Sequence, residues 1–152
     1  MCRSPVFCRR PVAHRLIAGR EIPASTRIVT YVSRVFESMR GFDIFMRAAR
    51  VIAQEYPDVL FVVVGSDRVC YGGDEKHIRH PTFREHVVAG GDYDLSKFLF
   101  TDLGPVSTLV DILSLSDLHI YLTVPFVLSW SLLNALACGC TVLPPTQRRW
   151  SR

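Results

Sequence analysis

Several short patterns that announce a chemistry are missing from this 152-residue chain, and each absence removes a class of function. No apolar run approaches the ~20 residues that a bilayer-crossing helix needs, so no transmembrane segment is expected. There is no GxxxxGK[ST] loop and no GxGxxG after the first predicted strand, which leaves an NTPase or a dinucleotide oxidoreductase without its phosphate cradle. A GxSxG nucleophile elbow is absent too, and with it the usual signature of a serine hydrolase. The five cysteines, Cys2, Cys8, Cys70, Cys138 and Cys140, are odd in number and lack the paired spacing of a structural zinc site. They read as reduced thiols, which favours a cytoplasmic protein. Cys138 and Cys140 flank Gly139 at a predicted helix end and are read as small packing residues.

Acidic residues are missing from both ends. All 14 lie between Glu21 and Asp117, a span holding only ten of the 18 basic residues, so the middle of the chain is net acidic. The overall charge of +4 comes from arginines outside it, five from Arg3 to Arg20 and three from Arg148 to Arg152. A nucleic-acid-binding domain would carry a basic face on its folded part, and none is expected here.

What is present is the alternation of an α/β domain. Residues 1–26 show no convincing periodicity. Their arginine bias is shared with transit peptides, but they read better as an irregular segment or the remnant of an interdomain linker. Regular structure is expected from Arg27. Ile28 to Ser33 reads as a strand, Phe42, Phe45, Met46, Ala49, Ile52 and Ala53 follow a helical period, and Val59 to Val64 reads as a buried strand. This βαβ unit places two parallel strands in one sheet. A long connection from Ser66 to Asp92 holds one helix near Thr82 to Val88, and Leu95 to Lys97 turns into a strand from Phe98 to Thr101. A helix marked by Val106, Leu109, Val110 and Leu113 follows. The stretch from Asp117 to Leu143 reads as strand, loop, helix and strand, with Ser129 as N-cap, Trp130 and Ser131 in the first turn, an apolar stripe of Leu132, Leu133, Leu136 and Ala137, and Gly139 as terminator. The expected fold is a doubly wound, Rossmann-like parallel sheet over residues 27–143, incomplete because its next helix does not arrive, with an irregular tail over 144–152. Ligands in such folds bind outside the carboxyl ends of the strands, where the start of the Trp130 helix offers N–H groups to an anion.

Four stretches, RIVTYVSRVFESMRGFDIFMRAA, YPDVLFVVVGSDRVCYGG, DLSKFLFTDLGPVSTLVDILSLSDLHIYL and PFVLSWSLLNALACGCTVL, carry a resemblance in their order and spacing. Arg27 to Leu143 resembles the C-terminal, nucleotide-sugar-binding domain of group 1 glycosyltransferases, retaining enzymes of the GT-B fold. The resemblance implies a donor diphosphate held by Arg34 and Arg40, the latter followed by Gly41. The family pattern has an arginine, then a lysine and a glycine; here the second base is arginine and the spacing is one residue longer. Ser129 and Ser131 match positions near the donor phosphates. The family's paired glutamates fall on Phe126 and Asn134. Phenylalanine can take neither carboxylate role, whereas Asn134 keeps a hydrogen-bonding amide for the ribose. No catalytic residue is assigned.

The resemblance implies no metal or other cofactor, and His77, His80 and His86 lack a ligand spacing and read as part of a solvated loop. The expected partner is a nucleotide-sugar, transferred with retention to an acceptor hydroxyl by the complete enzyme, which could touch a membrane peripherally; the chain alone is expected to be inactive or weakly active. The alternative is a catalytically silent nucleotide-binding or structural remnant without the acceptor-binding half. A receiver-like signalling domain would want acids clustered at strand ends, which the sequence does not provide.

Overall fold

The computed structural model describes residues 6–68, 70, 73–124 and 129–145, and its first regular element comes before Arg27. Strands β1 (Leu16–Ile17) and β2 (Arg20–Glu21) form a small antiparallel hairpin. Ala18 and Gly19 turn it, both at positive φ (48° and 79°), as a two-residue hairpin loop requires. Two-residue strands leave no periodicity to read, which is why this segment looked irregular. Its contribution is nonetheless structural: Ile17 and Ile22 are buried against the main sheet, with Phe7 packed beside the same cluster.

The main sheet is built from β3 (Arg27–Val35), β4 (Val59–Ser66), β5 (Phe98–Thr101), β6 (Leu118–Ile120) and β7 (Val142–Leu143). Its spatial order is β5-β4-β3-β6-β7, and every pair is parallel. The connecting helices are α1 (Phe42–Glu55), α2 (Phe83–Ala89), α3 (Val106–Leu115) and α4 (Trp130–Ala137). The chain winds from β3 outward to β5, crosses back through α3, and continues on the other side of β3. This 3-2-1-4-5 order is that of the first five strands of a Rossmann sheet, the α/β doubly wound fold expected from the sequence.

Side chains alternate across a strand, so β3 and β4 feed two cores. Val29, Tyr31, Phe61 and Val63 pack with Phe42, Phe45, Met46 and Ala49 of α1 and Val87 of α2. Ile28, Val32, Leu60, Val62 and Val64 pack with Leu109, Val110, Ile112 and Leu113 of α3, with Ala135 of α4 and with Cys138, which caps that helix. Because both faces are covered, β4 reads as an unbroken apolar run and is buried from Val59 to Gly65. Thr82 caps α2 by accepting from the Glu85 N–H at 3.1 Å, as the helix expected there requires.

Two expectations about the C-terminal elements need correction. The strand expected over Asp117 to Thr123 covers only Leu118–Ile120, because the chain then leaves the sheet to run beside the turn that precedes α1, where the Val124 N–H donates to the Met39 carbonyl at 2.9 Å. The apolar stripe of α4 is also not its buried face. Leu133 and Leu136 are exposed, whereas Ala135 and Cys138 are the residues in the core, small side chains that allow the helix to sit close to the sheet. Gly139 ends this segment at φ 69°, as expected. Residues 146–152, most of the expected tail, lie outside the described residues, as does Phe126.

Candidate functional site

Strands β3 and β6 are neighbours whose outgoing connections pass to opposite faces of the sheet. A crevice must open where those connections diverge, at the carboxyl ends of the strands. A cavity of about 550 Å³ lies there. Arg34, Arg40, Ser129, Ser131 and Asn134, the five residues singled out from the sequence, all line it.

Each arrives by a different local device. Arg34 is the one exposed residue between the buried Ser33 and Val35 near the end of β3, so its side chain leaves the sheet at the crevice. Arg40 closes a short 3-10 turn, Ser38–Arg40, between β3 and α1. That turn is fixed on several sides. The Tyr31 hydroxyl donates to the Arg40 carbonyl at 2.9 Å, and the Asp74 carboxylate accepts from the Ser38 N–H and hydroxyl at 2.9 and 2.6 Å. Burial holds the Tyr31 phenol above the usual tyrosine range, so it remains a donor. Gly41 follows at φ 70°, and a Cβ there would stand 2.6 Å from the Leu122 Cβ and 2.7 Å from its carbonyl oxygen. Only glycine fits that close approach.

The opposite wall belongs to α4. Ser129 caps it: its hydroxyl oxygen accepts from the Ser131 N–H at 3.3 Å and lies 2.7 Å from the Ser131 hydroxyl. The Leu132 N–H donates to the Ser129 carbonyl at 3.1 Å. The Leu133 N–H donates to the same carbonyl at 3.2 Å, so three amides at this helix start are engaged locally, and the Ser129 and Ser131 hydroxyls with Asn134 are the polar side chains that α4 and its cap bring to the cavity. Asn134 lies one turn on from Trp130 and Ser131 and shares their side of the helix, as i, i+3 and i+4 residues do.

Several lining residues were not foreseen as site residues. Thr123, only 6% exposed, supplies a hydroxyl from the loop after β6, and Leu103, Leu109 and Leu113 supply an apolar wall from α3 and the loop before it. Trp130 lines the cavity too and is 80% exposed. Tyr31 acts behind the lining; a tyrosine in a buried strand must find a partner for its hydroxyl, and that was the available signal. Among the described residues no carboxylate lines the cavity. With two arginines facing two serine hydroxyls, the arrangement is suited to holding an anion.

The other sequence candidates sit elsewhere. His77 and His86 border a second groove between α1 and α2, beside Asp43, Asp74, Arg47 and Arg50. Its charges are partly paired, Arg47 with Asp43 at 3.1 Å and Asp74 with Ser38. Asp67, just beyond β4, pairs with Arg84 at 2.9 Å, and the Arg84 guanidinium lies over the Phe100 ring. The Cys140 thiol donates to the Leu113 carbonyl at 3.1 Å, and burial pushes it up to about 11. Burial raises Cys138 as well, so both thiols stay protonated and serve packing.

No protein-family model matches the sequence, and no curated protein matches it. Solved structures do. The C-terminal domain of the glycosyl transferase group 1 family protein LpcC from Francisella tularensis superposes with a TM-score of 0.64 at 20% identity, covering 91% of this chain and 67% of that one. Sucrose-phosphate synthase from Thermosynechococcus elongatus gives a TM-score of 0.61 at 21% identity, over 81% of this chain and 28% of that one. Anabaena HepE, solved in complex with UDP and glucose, gives 0.56 at 18% identity, over 80% and 30%. The chain thus spans less than a third of the length of the latter two proteins. The fold of this chain is that of the C-terminal domain of GT-B glycosyltransferases.

Proposed function

We propose that this chain is the donor-binding domain of a nucleotide-sugar-dependent glycosyltransferase, and that the cavity between β3, α3 and α4 holds the donor. One observation carries the reading: residues far apart in sequence, Arg34 and Arg40 on one side and Ser129, Ser131 and Asn134 on the other, converge on a single cavity at the switch point of the sheet. Two fixed cations there would neutralise a diphosphate and stabilise it as a leaving group, the task a metal performs in other transferases. The serine hydroxyls would donate to its oxygens and the Asn134 amide would bond the ribose. The complete enzyme would move the sugar to an acceptor hydroxyl with retention, the acceptor being held by a separate domain. A cytoplasmic site of action, with peripheral membrane contact by the full enzyme and no nucleic-acid partner, completes the reading; among the described residues no helix is long and apolar enough to cross a membrane.

A second reading is favoured by Asn134 itself and by the absence of a carboxylate among the described lining residues. The chain would then bind a nucleotide without supporting transfer. Thermal melts with UDP, GDP, ADP and their sugar conjugates test the binding common to both. A ligand at ~100 times its dissociation constant adds about 2.7 kcal/mol, a readily measured rise in Tm. A melt unmoved by every nucleotide would count against both. Transfer activity on supplying a cognate acceptor domain would separate the first from the second.

A further inference from the structure

We infer that Trp130 is an aromatic platform on which the ligand of this cavity stacks a planar nucleobase, an inference that rests on the diphosphate reading of the same cavity. The cavity carries two chemistries. Arg34 and Arg40 on one side and the Ser129 and Ser131 hydroxyls on the other are its polar groups, whereas Leu103, Leu109, Leu113 and the Trp130 indole are apolar. A diphosphate alone satisfies the polar groups and leaves the apolar ones hydrated. A ligand with a diphosphate at one end and a flat, apolar-faced ring at the other satisfies both.

Trp130 is placed for that contact. It is the first residue of α4, between two serines whose hydroxyls are joined at 2.7 Å, so the backbone that carries the ring is fixed at the capped helix start. The ring itself is 80% exposed, and Leu103, which lines the same cavity, is 37% exposed. A single exposed apolar side chain needs no explanation, but a tryptophan and a leucine from separate elements on one cavity wall form a surface that a ligand can cover. Tryptophan offers the largest π-face of any side chain, and stacking accepts any base because every base has such a face.

The chain has two tryptophans, so Trp150→Phe leaves Trp130 as its only indole. In that background the emission is followed while UDP, ADP, GDP and inorganic pyrophosphate are titrated, and calorimetry supplies the affinities. At least one nucleoside diphosphate is expected to quench Trp130 saturably, with pyrophosphate binding more weakly and leaving the emission unchanged. Trp130→Ala, with an unchanged Tm because the ring is exposed, is expected to weaken that nucleotide by about 10-fold or more and to leave pyrophosphate alone, while Trp130→Phe keeps most of the affinity. Nucleotide binding that neither quenches Trp130 nor weakens in Trp130→Ala, or that is no tighter than pyrophosphate binding, would overturn the stacking role and leave the diphosphate reading standing. Binding of neither nucleotide nor pyrophosphate would overturn both.

Discussion

The hydroxyl of Tyr31, in the middle of β3, donates to the backbone carbonyl of Arg40 at 2.9 Å and so ties the central strand to the turn that carries a basic residue of the cavity. The link is between a core side chain and a site backbone, which makes it separable by mutation. Tyr31→Phe keeps the ring stacked on Phe45 but leaves the Arg40 carbonyl without this donor. Loss of one such bond should lower stability by about 1 kcal/mol. Affinity for a nucleoside diphosphate should fall while affinity for the uncharged nucleoside does not, as calorimetry on both ligands would show.

Gly41→Ala should be far more damaging. The left-handed conformation costs an L-residue ~1–2 kcal/mol. Forcing a methyl against Leu122 adds roughly 1–3 kcal/mol of overpacking. Chemical denaturation should therefore show a loss of several kcal/mol, and any folded fraction should bind diphosphate poorly because the Ser38–Arg40 turn is displaced.

Arg34→Ala and Arg40→Ala should each weaken diphosphate binding by about 10-fold or more, since a hydrogen bond to a charged group contributes ~1.5–3 kcal/mol. Binding by the unaltered chain should also weaken as salt is raised, because Arg34 is exposed and its attraction is screened. Titrations at low and high ionic strength, with each variant, check both statements. Equal affinity in all of them would remove the arginines from the site.

Acid should destabilise the fold through His119. The ring, carried by β6, is fully buried beside β3: its Nδ1 lies 2.9 Å from the Thr30 hydroxyl, and its Nε2 has no hydrogen-bond partner among the described residues. Burial lowers its pKa to about 4 from an ordinary 6.5. Between those values the unfolded chain binds the proton and the folded chain does not, so stability is full above about 6.5 and falls as the pH drops towards about 4. The loss attributable to this one ring is about 3 kcal/mol. Denaturation midpoints across that range, compared with His119→Gln, isolate it: the variant should lack this component of the acid sensitivity, and identical pH profiles would refute the assignment.

The parts of the fold with strong periods were open to sequence reading. The unbroken apolar run of β4, the 3.6-residue spacing of Phe42, Phe45, Met46 and Ala49, and the capping serine at 129 each reflect one local rule, and each element lies where those rules put it. The β1–β2 hairpin escaped because its strands hold two residues each, too few for a period. The buried face of α4 escaped because leucine outranks alanine in any hydrophobicity argument, although the close approach to the sheet selects Ala135 and Cys138. At the cavity, charge and hydroxyl chemistry pointed to Arg34, Arg40, Ser129, Ser131 and Asn134 under the guidance of a resemblance. Tyr31 and Thr123 depend on tertiary contacts that no spacing along the chain encodes: a hydroxyl reaching a carbonyl nine residues away, and a loop leaving β6 early.

The donor-binding role rests on entry of a nucleoside diphosphate into the cavity between Arg40 and Ser129. Amide NMR spectra of the chain, titrated with UDP, ADP and GDP, test this most directly. The amides of Arg34, Arg40, Ser131 and Asn134 should shift together and saturate with one dissociation constant. Shifts confined to the groove between α1 and α2, or no shifts with any of the three, would contradict that role.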